Sequence, residues 1–147
     1  MISVAIDYGR FRIGIAAIGD HGVVFPVAVI QNRSRAVSLT AVCDQLAELD
    51  AQHIVVGYPL NMDGTVGPQA RAAEKFADEL RLISGLPVEL YDERLSSFEA
   101  RERLADRHNL GRASRTRPPS ARLKRGAAID AIAACVILES WIQSRAR

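Results

Sequence analysis

Zinc chemistry has little to work with in this sequence. It holds two cysteines, Cys43 and Cys135, and three histidines, and none of the five stands at metal-ligand spacing from another. Both cysteines fall among apolar neighbours in expected helices and read as small buried hydrophobes. His21, His53 and His108 fall in a turn, at a strand start and in a basic loop, and carry no evident chemistry. No apolar run approaches the roughly 20 residues that a membrane-crossing helix needs. A basic segment leading into an apolar one is also missing at the start, so a cytoplasmic protein with no membrane partner is expected. Aromatic residues make up only 5% and do not interleave with the basic residues. Any nucleic acid would then be recognised by backbone and shape rather than by extended base stacking.

What is present fits one domain, expected to span 1–147. Hydrophobic residues make up 48% and charged residues 24% of 147, ordinary for a globular chain. Net charge is +2 overall, but residues 101–125 hold nine Arg and Lys against two acids, a net of +7, which leaves −5 for the remainder. A basic segment on an acidic body suits contact with a polyanion; the plainer reading is a solvated charged loop.

The chain opens with Ile2, Val4 and Ile6, a buried-strand pattern ending at Asp7. Tyr8, Gly9 and Arg10 give a turn, and Ile13 to Ala16 the returning strand. A third strand covers Val23 to Ile30, and Pro26 sends it to a sheet edge or a bulge. Ser34 caps a helix reaching Leu49. His53 to Gly57 is a short apolar strand of the kind buried on both faces. Residues 58–68, rich in Gly, Pro, Asn and Asp, lead to a helix that starts at Pro68 and reaches Ile83. Pro87 to Tyr91 is a fifth strand. Ser96 and Glu99 form a capping box for a helix to Ala105, residues 107–121 read as a mobile basic loop, and a last helix begins near Lys124 or Gly126 and reaches Gln143. The order implies an α/β fold: a five-stranded mixed sheet, three antiparallel strands then two parallel, with helices on both faces.

Three acids stand out. Asp7 ends a central strand beside a tight Gly-containing turn, where a metal or phosphate can approach the backbone; alternatively it caps the turn. Asp130 is the only charge from Ala127 to Leu138. On a helix its same-face neighbours are Ala127, Ala133, Ala134 and Ile137. A bare carboxylate there costs at least several kcal/mol unless protonated, paired or metal-bound, and an ion pair with Arg12 or Arg94 is the bland solution. The third acid is Asp92 or Glu93, just past the fifth strand, and strand alternation lets only one of them share a site with Asp7. Three such carboxylates could gather one or two Mg²⁺ or Mn²⁺ ions for in-line displacement at phosphorus.

The blocks IDYGRFRIGIA, VVGYPLNMDGTVGPQA, YDERLSSFEAR and AAIDAIAACVILESWI resemble, in order and over nearly the whole chain, those of the YqgF/RuvX family of the ribonuclease H-like superfamily. The resemblance implies a ribonuclease H-like fold and a metal-dependent nuclease whose catalytic and metal-binding triad is Asp7, Glu93 and Asp130, with Glu93 taken over Asp92. Members are described as Holliday junction resolvases and as nucleases maturing the 5′ end of pre-16S ribosomal RNA. Structured RNA is the favoured partner, branched DNA the alternative, and the protein is expected as a monomer or homodimer. Where the family often has Thr after the DER block, this chain has Ser96 and Ser97; both keep a hydroxyl. Gly9 would let phosphate or metal approach, and Arg10, Arg12, Asn61, Arg94, Lys124 and Arg125 are candidates for nucleic-acid contact. A reading from another class is a non-catalytic nucleic-acid-binding module in ribosome assembly. Retained acids argue against it, because a pure binder would gain by losing negative charge beside phosphates.

Overall fold

The computed structural model describes residues 2–95 and 125–145, without the side chains of 95 and 125–130. Three antiparallel strands open the chain: β1 (Ser3–Tyr8), β2 (Arg12–Ile18) and β3 (Val24–Gln31). Helix α1 (Arg35–Leu49) leads to β4 (His53–Tyr58), and α2 (Pro68–Ser84) to β5 (Val88–Asp92). A single 3₁₀ turn, Glu93–Leu95, follows β5, and α3 (Arg125–Arg145) ends the described chain. The sheet order is β3-β2-β1-β4-β5, with β1 parallel to β4 and β4 parallel to β5. This is the expected mixed sheet. The expected helix from Ser96 and the basic loop over 107–121 lie outside the described residues.

Pro26 meets both conditions its missing N–H imposes. Strand β3 is an edge strand, and its register against β2 slips between Ile15 and Ala16, leaving Val27 as an extra residue between Ala28 and Pro26.

Strand alternation sorts the side chains into two cores. Val4, Ile6, Ile13, Ile15, Ile54 and Val56 face α1 and α2, where Leu39, Val42, Leu46, Phe76 and Leu80 meet them. Ala5, Ala16 and Val55 face α3, which supplies Ala134, Cys135, Leu138 and Trp141. Each large aliphatic side chain buried this way contributes roughly 1.5–3 kcal/mol of transfer free energy. Helix ends follow from local chemistry. The Ser34 hydroxyl accepts the Val37 N–H at 3.3 Å, Pro68 occupies the first turn of α2, and Gly85 ends it at φ 69°.

Helix α3 is fixed in direction by two contacts. Its Trp141 stacks on His53 at the start of β4, with ring centroids 5.1 Å apart, and donates its indole N–H to Glu89 Oε1 at 2.6 Å. One turn earlier, Ile137 lies against the end of the same strand at Gly57. The N-terminal part of α3 therefore extends toward the carboxyl ends of the central strands, where open α/β sheets carry their functional loops.

Candidate functional site

Asp7 is the next residue but one after Ala5, so alternation puts it on the α3 face of the sheet. Both flanks of that position lack a side chain. On β2 its register partner is Gly14. On β4 the residue one step beyond the Ile6–Val56 pair is Gly57. Asp7 thus stands half-buried between two buried glycines.

The space over Gly57 is taken by Glu93. A Cβ placed on Gly57 would overlap the Glu93 carboxylate and lie 2.6 Å from Ile137 Cδ1. The 3₁₀ turn after β5 folds Glu93 back over β4, and neighbouring strands run about 4.8 Å apart. Asp7 and Glu93 are thereby brought to adjacent strands on one face. Asp130 belongs to α3, the helix covering that face. Its backbone lies seven residues before Ile137, about 10 Å farther along the axis toward the carboxyl ends of the strands. Its carboxylate is outside the described residues, and among the described residues no three His, Cys, Asp or Glu side chains form a metal-binding group. The donors placed on this face are carboxylate oxygens, Glu93 over Gly57 and Asp7 on the neighbouring strand. That donor set suits a hard divalent cation.

Asp92 is engaged elsewhere. Its Oδ1 accepts the Arg94 N–H at 2.9 Å, and both oxygens accept the guanidinium, Nε at 3.1 and 3.0 Å and Nη2 at 2.7 Å. These hydrogen bonds from Arg94, with its charge, hold the Asp92 carboxyl below the usual carboxylate range. The same guanidinium reaches the Met62 carbonyl at 3.4 Å, and a Cβ on Gly64, whose φ is +88°, would sit 3.3 Å from Nη1. Arg94 therefore links the turn that carries Glu93 to the loop after β4.

That loop is internally braced. Asn61 donates its side-chain amide to Thr65 Oγ1 at 2.9 Å, and Asp63 Oδ1 accepts both the Thr65 N–H at 3.0 Å and its hydroxyl at 2.6 Å. The Thr65 hydroxyl, then its N–H, pulls the Asp63 carboxyl down. Next to the loop, the Tyr58 hydroxyl donates to Glu74 Oε1 and ties the end of β4 to α2.

Gly9 lies at the β1–β2 turn, where its N–H donates to Arg12 O at 2.9 Å. A Cβ there would come to 2.5 Å from the same oxygen, so glycine is required by close approach. Arg10 and Arg12 are exposed on this turn. The Arg10 guanidinium sits 5.3 Å from the Phe11 ring centroid. Arg125 is the first residue of α3 and its side chain is not described; Lys124 lies outside the described residues.

Two features of the site escape sequence reading. Gly57 reads as the mere end of an apolar strand, and its role appears only when β5 and the 3₁₀ turn are placed beside it. Asn32 has no motif around it, yet its N–H donates to Phe11 O at 2.8 Å and its side-chain amide to Gly9 O at 2.9 Å.

The RuvX family model, described as a Holliday junction resolvase, matches residues 1–144. A protein of Anaeromyxobacter sp. (strain K) named as a pre-16S rRNA nuclease is 44% identical over 147 residues, 99% of each chain. One of the same name from Myxococcus xanthus (strain DK1622) is 34% identical, covering 98% of this chain and 89% of its own. Among solved structures, Thermus thermophilus RuvC superposes with a TM-score of 0.60 at 14% identity over 98% of this chain and 96% of its own. Fowlpox virus resolvase in complex with Holliday junction DNA also scores 0.60, at 12% identity over the full length of both chains. At these identities the likeness is one of fold.

Proposed function

The chain belongs to the RuvX family, and from that membership we propose that it is a single-domain, cytoplasmic nuclease that matures the 5′ end of pre-16S ribosomal RNA by divalent-metal-dependent phosphodiester hydrolysis. The observation that supports the reading is the Glu93 carboxylate lying over Gly57, on the strand next to Asp7 and on the same face. Oxygen-only donors in a cleared space are what Mg²⁺ or Mn²⁺ requires. Asp7, Glu93 and Asp130 would hold the ion, which would supply polarisation of the phosphate and activation of a water. Arg10 and Arg12 on the adjoining turn, with Lys124 and Arg125, bind the phosphate backbone; Asn61 shapes the loop beside it. Arg94 orients the turn that presents Glu93. The substrate name comes from the relatives at 44% and 34% identity. The family description favours four-way DNA junctions as the second reading.

The test is side-by-side cleavage of a labelled pre-16S rRNA fragment and a four-way DNA junction, with Mg²⁺ or Mn²⁺, by wild type, Asp7→Asn and Glu93→Gln. Metal-dependent cutting of the RNA that both variants lose supports the proposal. Selective cutting of the junction moves the substrate to branched DNA. Binding of either substrate with no cleavage under any metal overturns the nuclease reading.

A further inference from the structure

The turn beside Asp7 carries an aromatic ring that the fold does not use. Phe11 is 72% exposed, at the tip of the β1–β2 hairpin and four residues past Asp7. A tight hairpin turn favours Gly, Asn and Asp, so nothing in the turn chemistry calls for phenylalanine. Nor is the tip loose. Asn32 holds it from both sides, through Phe11 O and Gly9 O, and Asn32 Oδ1 in turn accepts the Ser38 hydroxyl at 3.0 Å. The ring is presented on a braced backbone, with the Arg10 guanidinium 5.3 Å from its centroid. The loop after the adjoining strand adds a second exposed apolar side chain at the same end of the sheet. Met62, 88% exposed, sits in the loop after β4, whose carbonyl Arg94 holds.

From these features we infer that Phe11 stacks on an unpaired nucleobase next to the scissile phosphate, with Met62 as the apolar contact across the site. This rests on the nuclease reading and deepens it, because it names the substrate feature recognised. The tip lies about three strand residues beyond Asp7, roughly 10 Å, a span that a neighbouring nucleotide bridges. An aromatic face takes any base, and an arginine beside it meets the phosphate of the same nucleotide. In continuous duplex the base faces are covered by their neighbours. The ring therefore selects substrates with an unstacked base at the cut, as in a single-stranded precursor end or at a branch.

The test measures binding in Ca²⁺ in place of Mg²⁺ or Mn²⁺, with the length of the bound strand checked after each titration. The probes are a single-stranded RNA oligonucleotide carrying 2-aminopurine and the same strand fully paired. The inference requires that Phe11→Ala weaken binding to the single strand about tenfold and lose the 2-aminopurine quenching seen with wild type. Duplex affinity should stay within about twofold, and Phe11→Trp should keep both signals. Met62→Ala should weaken single-strand binding by less. Equal binding of both probes by wild type and Phe11→Ala, with quenching intact, overturns the role of Phe11 and leaves the nuclease reading standing. If wild type binds neither probe at low salt, both readings fall.

Discussion

The Glu93 carboxylate occupies the volume that any side chain on Gly57 would fill. The acid comes from the 3₁₀ turn after β5 and the glycine from β4, and the missing side chain of the one leaves the room the other fills. Gly57→Ala is therefore expected to displace Glu93 while the rest of the sheet holds. A misplacement of about 1 Å at a reacting centre costs on the order of 100-fold in rate. Overpacking against Ile137 costs about 1–3 kcal/mol of stability. Cleavage kinetics and thermal melts of the same variant separate the two. A variant that cleaves at the wild-type rate would show that Glu93 needs no such space.

Asp92 and Arg94 form a clamp whose acid dependence has a definite sign. The folded-state pKa of Asp92 is depressed by Arg94, so its contribution to stability is fully present above the ordinary value of 3.8. It is lost as pH falls through the lower folded value. Asp92→Asn should melt below wild type at neutral pH, and the two melting curves should converge in the acid range. Because the clamp carries the turn bearing Glu93, the variant should also lose activity at neutral pH. Arg94→Lys, which cannot grip both carboxylate oxygens in the same fork, should not restore it.

Burial pushes the Cys135 thiol up to about 12, with Glu139 adding to the effect. It is a neutral thiol at pH 8, and thiolate is the reactive form. Labelling by a disulfide reagent at pH 8 should therefore modify Cys135 only as fast as the protein unfolds, and denaturant should release it together with loss of the Trp141 fluorescence. Rapid labelling in the folded state would mean that α3 detaches from the sheet on its own.

Arg10 is exposed on the hairpin beside the acids. Replacing it with alanine should weaken binding to single-stranded RNA across all sequences. It should also lower the slope of log K against log salt by about 1, the loss of one phosphate contact. An unchanged slope would remove Arg10 from the phosphate-binding set.

Most of the fold is legible in the sequence, for local reasons. The alternating Ile2, Val4 and Ile6, the Ser34 cap, the Pro68 start and the Ser84–Gly85 stop each act within a few residues of themselves. Pro26 even announces the edge strand and the bulge, because a missing N–H has few places to go. Which of the two adjacent acids turns back over β4 is half legible. Alternation says that one of two acids must turn away, but only the three-dimensional path of the 3₁₀ turn shows Asp92 taken up by Arg94. Gly57 and Asn32 stay silent because their partners are 36 and 23 residues away in sequence. No local pattern encodes such a distance.

The break in β3 bears on how the protein survives its own synthesis. An edge strand in an open sheet is a template on which a neighbouring nascent chain can add a strand and seed aggregates. Pro26 offers that neighbour no donor, and the extra residue at Val27 throws the spacing of the remaining groups out of step. The irregularity that weakens the outer rung of this sheet is thus what blunts its β3 edge as a template.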